Sequence, residues 1–373
     1  MSGRTELYSS NQLKLGIFGA NMSSGIAATK VPERWSASWA ENVALAQMLD
    51  AAGLEFSLPV ARWKGFGGAT NFEGAGFETV TWASGILAAT ERLTVFGTVH
   101  APLVHPIFAA KQFVTVDHIG RGRFALNLVC GWNQDEFEMF NVAQRDHETR
   151  YVYGEEWLRV VRLMWESRGT FDFNGEFITL SGVESEPKPY DGTQPVIMNA
   201  GSSDTGKAFA IANCAYLLST IRASIEAAAA NVADAHARAA ALGKRLGVLT
   251  TASVVCRPTQ READEYYHYY ADEQADWEAV DRMVAIGTRG ASTTMRPEHY
   301  RQMRIRFAAG YGGWPIVGDP DAVAAGLVAV ARAGFSGVAL GFVNYLAELP
   351  YFRAEVIPRL ERAGVRVPHV IGR

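Results

Sequence analysis

The chain has 373 residues, 48% of them hydrophobic and 20% charged, with a formal net charge of −4. This is the composition of a globular protein with an ample core, and it leaves no basic footprint for nucleic acid and no polybasic run for a membrane surface, so a small molecule is the expected partner. The length allows two ordinary domains, but one α/β barrel, usually about 250 residues and up to about 400 with insertions, also accommodates it.

The opening stretch MSGRTELYSSNQLK has no apolar signal core, and no apolar run approaches the ~18 residues that cross a bilayer, so the expected location is cytoplasmic. From Leu13 onward, short apolar β-branched runs alternate with longer amphipathic segments, the pattern of βα units around a parallel sheet. The strands expected are Leu15 to Phe18, Phe56 to Ala61, Leu93 to Thr98, Phe124 to Val129, Val196 to Asn199, Ala215 to Leu218, Gly247 to Val255 and Val338 to Phe342. Helices are expected over Trp39 to Ala52, Phe77 to Thr90, Pro106 to His118, Tyr151 to Glu166, Ser224 to Leu242, Arg261 to Asp272 and Asp319 to Arg332, the last with Asp319 as N-cap and Pro320 in its first turn. Eight strands with intervening helices give a single (β/α)8 TIM barrel over residues 1–373.

Two stretches interrupt the alternation. Within 170–189, Asn174-Gly175 between aromatic-rich runs signals a β-hairpin insertion on the surface. Residues 276–315, rich in Gly, Arg, Ser and Thr around Gly287 to Thr294, read as a long irregular segment and hence as a mobile lid over a binding site. Cys130, Cys214 and Cys256 are odd in number and widely spaced, which indicates neither a disulfide framework nor zinc. The His residues form no H-x-H or H-E-x-x-H pattern, so no metal site is expected.

In such a barrel, chemistry belongs at the C-terminal ends of the strands. Thr98 ends the third expected strand, Asn127 interrupts the apolar fourth and Asn199 ends the fifth. Asn127 is either a satisfied core amide or a site residue, since a buried amide without partners costs roughly 1–3 kcal/mol. Gly201-Ser202-Ser203-Asp204 opens a helix and is either a simple cap or an anion site. The sequence has no G-x-x-x-x-G-K-[ST], and Gly65-Phe66-Gly67-Gly68 is no G-x-G-x-x-G, so a nucleoside triphosphate or nicotinamide site is unsupported. His100 and His105 stand just beyond a strand end, where each either touches substrate or satisfies a loop.

Gly122-Arg123-Phe124-Ala125-Leu126-Asn127-Leu128-Val129-Cys130-Gly131-Trp132, then Glu136, Arg150-Tyr151 and Ala200-Gly201-Ser202-Ser203 together carry a resemblance. In this order they look like the bacterial-luciferase-like flavin monooxygenases, over about Leu13 to Leu360. Arg62 to Gly68 is more similar to the pyrimidine oxygenases of that superfamily; the segment Gly334 to Leu360 is more similar to its dimethylsulfone monooxygenases. The resemblance implies a two-component enzyme. Reduced FMN would come from a separate NAD(P)H-dependent flavin reductase, and O2 would react with it to a flavin peroxide, possibly at N5, that oxygenates a small heterocycle or sulfone. It also implies a homo-oligomer, dimer or tetramer. By resemblance FMN contacts Ala61 and Arg62, Asn127 and Glu136 at the ring and ribityl chain, and Arg150, Tyr151 and Ser203 at the phosphate, while Leu58, Thr98 and Asn127 form the catalytic oxygen pocket. Cys130 stands where the pyrimidine enzymes have Thr, and the segment from His100 to His105 differs from theirs. Arg222, Arg289 and Arg296 are either substrate cations or solvated side chains. The rival readings are a coenzyme F420-dependent oxidoreductase on the same barrel and a non-catalytic flavin-binding protein.

Overall fold

Side chains that alternate between two apolar environments build the sheet. In the computed structural model, which describes residues 4–287 and 296–369, eleven strands form. They are β1 (Lys14–Phe18), β2 (Phe56–Leu58), β3 (Thr94–His100), β4 (Phe124–Val129), β5 (Phe171–Asn174), β6 (Thr179–Val183), β7 (Val196–Asn199), β8 (Tyr216–Leu218), β9 (Gly247–Cys256), β10 (Trp314–Gly318) and β11 (Gly337–Gly341). Strands β1, β2, β3, β4, β7, β8, β9 and β11 pair in parallel around a ring that closes where β11 meets β1. The expected eight-stranded (β/α)8 barrel is therefore observed. Phe56, Leu58, Phe96, Ala125, Val196, Met198, Tyr216, Leu249 and Ala339 fill its interior. Their immediate neighbours Val95, Leu126, Ile197, Leu217, Val248, Val338 and Leu340 pack outward, as a period of two requires.

The outward residues are covered by α1 (Trp39–Ala51), α2 (Thr79–Ala88), α3 (Pro106–Ile119), α4 (Gln134–Met139), α5 (Thr149–Glu166), α6 (Asp204–Asn213), α7 (Ile225–Ala241), α8 (Gln260–His268), α9 (Trp277–Gly287), α10 (Pro297–Gly310), α11 (Pro320–Arg332), α12 (Tyr345–Glu355) and α13 (Ile357–Arg362). Side-chain caps fix several starts. Ser38 and Glu41 form a reciprocal capping box on α1, and Asp319 accepts from Ala322 N–H ahead of Pro320 on α11.

The described residues between 276 and 315 are not the irregular segment that their composition implies. They are mostly α9 and α10, followed by the start of β10, which adds a ninth strand beside the end of β9. Ala279, Val280, Met283, Val284 and Ile286 recur at helical spacing and are buried, a signal obscured by the adjacent Gly, Ser and Thr run. Most of that run, with Arg289, lies outside the described residues. In the insertion, β5 and β6 pair antiparallel, and the turn between them is tied to α5: the Glu156 carboxylate accepts from the N–H groups of Glu176, Phe177 and Ile178 at 2.8, 2.9 and 2.6 Å. No helix among the described residues is long and apolar enough to cross a membrane.

The N-terminal end of the barrel is closed by a buried ion pair. Arg366 Nη1 donates to Glu55 Oε2 at 2.8 Å and to the Leu13 carbonyl at 2.9 Å, and the same carboxylate oxygen accepts from Leu15 N–H at 2.8 Å. Both side chains are buried, and this end of a barrel carries stability rather than chemistry. Arg366→Met leaves Glu55 charged and unpaired, so the unfolding free energy should fall by about 3–5 kcal/mol in a denaturant titration. An unchanged midpoint would show that the pair contributes nothing.

Candidate active site

The inward face of the barrel turns polar one layer below its C-terminal mouth. Thr98 on β3 and Asn127 on β4 are register partners, and Leu58 lies below in the apolar interior. The Thr98 hydroxyl donates to the Pro59 carbonyl at 2.7 Å, and Asn127 Nδ2 donates to Thr98 Oγ1 at 3.2 Å. Direction along this chain is forced. The Pro59 carbonyl only accepts, so the threonine proton is committed to it, and Thr98 Oγ1 must then receive an N–H from the amide. Asn127 Oδ1 is left buried without a partner. This sets it apart from a satisfied core amide.

Above this layer, Arg62 is buried to 2% side-chain exposure and shared by two carboxylates. Its Nε donates to Glu73 Oε2 at 3.0 Å, Nη1 to Glu136 Oε1 at 2.9 Å and Nη2 to the Tyr311 hydroxyl at 2.6 Å. The guanidinium also lies over the rings of Phe66 and Trp132. Glu136 Oε1 accepts in addition from Trp63 N–H at 2.9 Å. The loop that carries Glu73 is pinned by buried Asp276, which accepts from Ala69 N–H, Thr70 N–H and Thr70 Oγ1. Arg62 and Glu136 thus engage each other, with Ala61 beside them bordering the mouth.

One cation cannot balance two buried carboxylates. Burial pushes the Glu73 carboxyl up to about 7, Arg62 opposing and Glu136 adding to the rise. Its Oε1 has no partner. The folded protein therefore retains a proton that the unfolded chain releases near 4.5, and this costs stability as pH rises from about 4.5 to about 7. Glu73→Gln mimics the protonated side chain. Its stability relative to the parent should rise across that window and level off above it, measured by urea titrations at pH 5, 6, 7 and 8. A difference independent of pH would mean that Glu73 is already ionised at pH 5.

Beside the mouth lies a cleft of about 710 Å³ between the ends of β4 and β7, bordered by Arg145, His147, Arg150, Tyr151, Gly201 and Ser203 among others. Asn199 shapes its floor: Nδ2 donates to the Leu128 carbonyl at 2.6 Å and Oδ1 accepts from Gly201 N–H at 2.8 Å. Ser203 caps α6, accepting from Gly206 N–H at 3.1 Å. A Cβ on Gly201 would fall 2.6 Å from Gly206 Cα, and one on Gly206 would fall 2.5 Å from the Tyr151 hydroxyl. Only glycine permits this close approach of backbone and hydroxyl. Arg150 Nη1 donates to the Gly131 carbonyl at 2.8 Å, while its Nε is buried without a partner. A cationic fork with a free donor, a helix N-terminus and two hydroxyls around a glycine cradle suit a terminal phosphate. Cys130, which also borders the cleft, is no nucleophile, because burial pushes its thiol up to about 12.

The remaining sequence candidates separate cleanly. His105 accepts from Ile107 N–H as the cap of α3, a loop role. Arg222 and Arg296 are exposed and border neither the cleft nor the mouth. Sequence reasoning missed Glu73, Tyr311, Arg145 and His147. Glu73 and Tyr311 reach the site through backbone turns with φ of +53° and +54°, which carry no sequence period. Arg145 and His147 form part of the run Arg145-Asp146-His147 just before Arg150, a charge cluster that was open to notice.

Comparison with known proteins agrees with this geometry. The family model for luciferase-like monooxygenases matches residues 14–337. The FMNH2-dependent dimethylsulfone monooxygenase of Pseudomonas putida is 30% identical over 353 residues, covering 94% of this chain and 95% of that protein. The pyrimidine monooxygenase RutA of Cronobacter turicensis is 28% identical over 356 residues, 93% and 92% of the two chains. Among solved structures, a riboflavin lyase (RcaE) superposes with a TM-score of 0.84 at 22% identity over 95% of this chain and 93% of that one. DmoA from Hyphomicrobium sulfonivorans gives 0.83 at 19% identity over 95% and 89%. The barrel, the polar layer at its mouth and the near full-length family match lead to one conclusion: the chain belongs to the luciferase-like monooxygenases and is a flavin-dependent enzyme.

Proposed function

We propose that this protein is the oxygenase component of a two-component system, taking reduced FMN from a separate NAD(P)H-dependent flavin reductase and using O2 on a small heterocycle or sulfone. The observation that carries this reading is the unsatisfied Arg150 Nε beside the Gly201–Gly206 cradle. Such a site accepts a single terminal phosphate. Arg150, Tyr151 and Ser203 would hold that phosphate, and Ala61, Arg62, Asn127 and Glu136 would border the ring and ribityl chain.

Reduced FMN, when bound, supplies the two electrons for oxygen activation. The protein's part is to orient and to exclude water. Asn127 Oδ1 offers the one uncommitted acceptor of the polar layer, held at a fixed angle by the relay through Thr98 to Pro59. Leu58, with Phe96 and Met198, keeps the floor beneath it apolar. Phe66, Trp132 and Tyr311 are held over the mouth around Arg62, and the α9–α10 segment beyond them is where a closing motion would act.

Two measurements test the reading. FMN should bind far more tightly than riboflavin in a fluorescence titration, and Arg150→Ala should weaken FMN by about 10- to 100-fold while leaving riboflavin unaffected. Equal affinity of the parent enzyme for FMN and riboflavin would remove the phosphate from this cleft. Thr98→Val keeps the shape but frees the Asn127 amide to turn, so FMN affinity should hold while product formed per flavin oxidised drops by about tenfold and hydrogen peroxide rises. A fully coupled Thr98→Val enzyme would show that the relay does not position the reacting groups. Reduced flavin that persists in air-saturated buffer with substrate present would favour hydride exchange on the same barrel instead.

A further inference from the structure

His100 is a buried polar group for which the mechanism above has no use. It ends β3, and strand alternation puts it on the same inward face as Phe96 and Thr98, one layer nearer the mouth. The residue is 4% exposed and its Nδ1 has no hydrogen-bond partner. Burial, with Arg62 acting in the same direction and Glu136 opposing, lowers its pKa to about 4, so the imidazole is neutral at physiological pH and offers one donor and one acceptor. It borders a cavity of about 80 Å³ shared with Arg62, Trp63, Glu78, Thr98 and Leu103, room for a compact molecule of a few heavy atoms.

The charges around this cavity decide what enters. Arg62 is the one guanidinium among its described lining residues, and it is spent on Glu73, Glu136 and Tyr311. Glu78 adds a carboxylate, which caps α2 by accepting from Val80 and Thr81 N–H. An anion entering here would lose its hydration and meet no free cation. An uncharged molecule with one strong polar group loses far less, and it supplies the partner that His100 lacks.

We propose that His100 is a substrate-binding residue whose imidazole hydrogen-bonds the polar group of a compact, uncharged substrate, and that the cavity beside it rejects anions. Calling that ligand a substrate rests on the monooxygenase reading; the preference itself is a binding property and is measured without turnover.

Dimethyl sulfone and methanesulfonate have the same number of heavy atoms and differ by one negative charge, so ligand-observed NMR of their methyl protons isolates the charge. Uracil serves as a second uncharged probe. The probe titrations use the full chain in phosphate buffer, which fills the anion cleft, while FMN binding is measured separately by fluorescence in phosphate-free buffer. At least one uncharged probe should bind more than about tenfold tighter than methanesulfonate. His100→Leu should weaken that probe by about tenfold, the size of one good hydrogen bond, and His100→Asn should restore most of the affinity. The unfolding temperature of His100→Leu should not fall, because the parent imidazole leaves a buried nitrogen unsatisfied when no ligand is present. The proposal is overturned if methanesulfonate binds as well as the uncharged probes, if neither uncharged probe binds, or if His100→Leu leaves affinity intact. Failure of FMN to bind would overturn the cofactor reading alone, since charge discrimination and the His100 effect are read from the probe signals.

Discussion

A single guanidinium holds the mouth of this barrel together. Arg62 follows β2, yet its donors reach Glu73 farther along the same β2–α2 connection, Glu136 at the start of α4 and Tyr311 at the end of α10. Segments separated by as many as 249 residues therefore meet on one side chain. Arginine suits the task because its planar fork donates in several directions at once and it cannot shed its charge, whereas a lysine would offer one point charge. The arrangement is electrostatically unbalanced, with two carboxylates for one cation in a dry setting, and burial answers the imbalance by pushing the Glu73 carboxyl up to about 7. Among the described residues, it also commits the one guanidinium that borders the small cavity to partners of its own.

That commitment divides the C-terminal face into two electrostatic regions. The cleft between β4 and β7 keeps Arg145, Arg150 and the α6 N-terminus for an anion, while the small cavity beyond Thr98 has a carboxylate, a neutral imidazole and apolar walls. A ligand with a phosphate at one end and a neutral ring at the other is oriented by this contrast before any specific contact forms. The polar layer between the two regions gains its direction from proline: an acceptor that cannot donate fixes Thr98, and Thr98 fixes Asn127.

Much of the barrel was legible in the sequence because strand and helix periods are local signals. All eight barrel strands overlap the short apolar runs picked out as strands, and Asn127 stood out as a polar residue inside such a run. Legibility failed where composition competed with period. The apolar positions of α9 were overshadowed by the Gly and Thr that follow, and β10 was hidden because Trp314-Pro315 reads as a strand breaker. Pro315 is tolerated there because β10 pairs only with β9, at the edge of the sheet. Arg62 and Glu136 were picked out separately, each as a flavin contact, and their partnership was invisible because nothing in one dimension relates positions 62, 73, 136 and 311.

The unsatisfied atoms carry the functional argument further than the satisfied ones do. Arg150 Nε, Asn127 Oδ1 and His100 Nδ1 are buried without partners, and all three lie on residues bordering the cleft, the polar layer or the small cavity. Each costs the folded protein free energy that no internal contact returns, on the order of 1–3 kcal/mol for a buried group left unpaired. Other such atoms lie away from the mouth, among them Thr94 Oγ1 at the start of β3 and Arg366 Nε at the opposite end of the barrel, so what matters for these three is what they border. Under the proposed function they would meet an anion at Arg150, a donor at Asn127 and an uncharged polar group at His100. Binding such a ligand would release this stored cost along with the contacts it makes. The site is thus less stable empty than filled, and a ligand that binds it stabilises the whole fold by mass action.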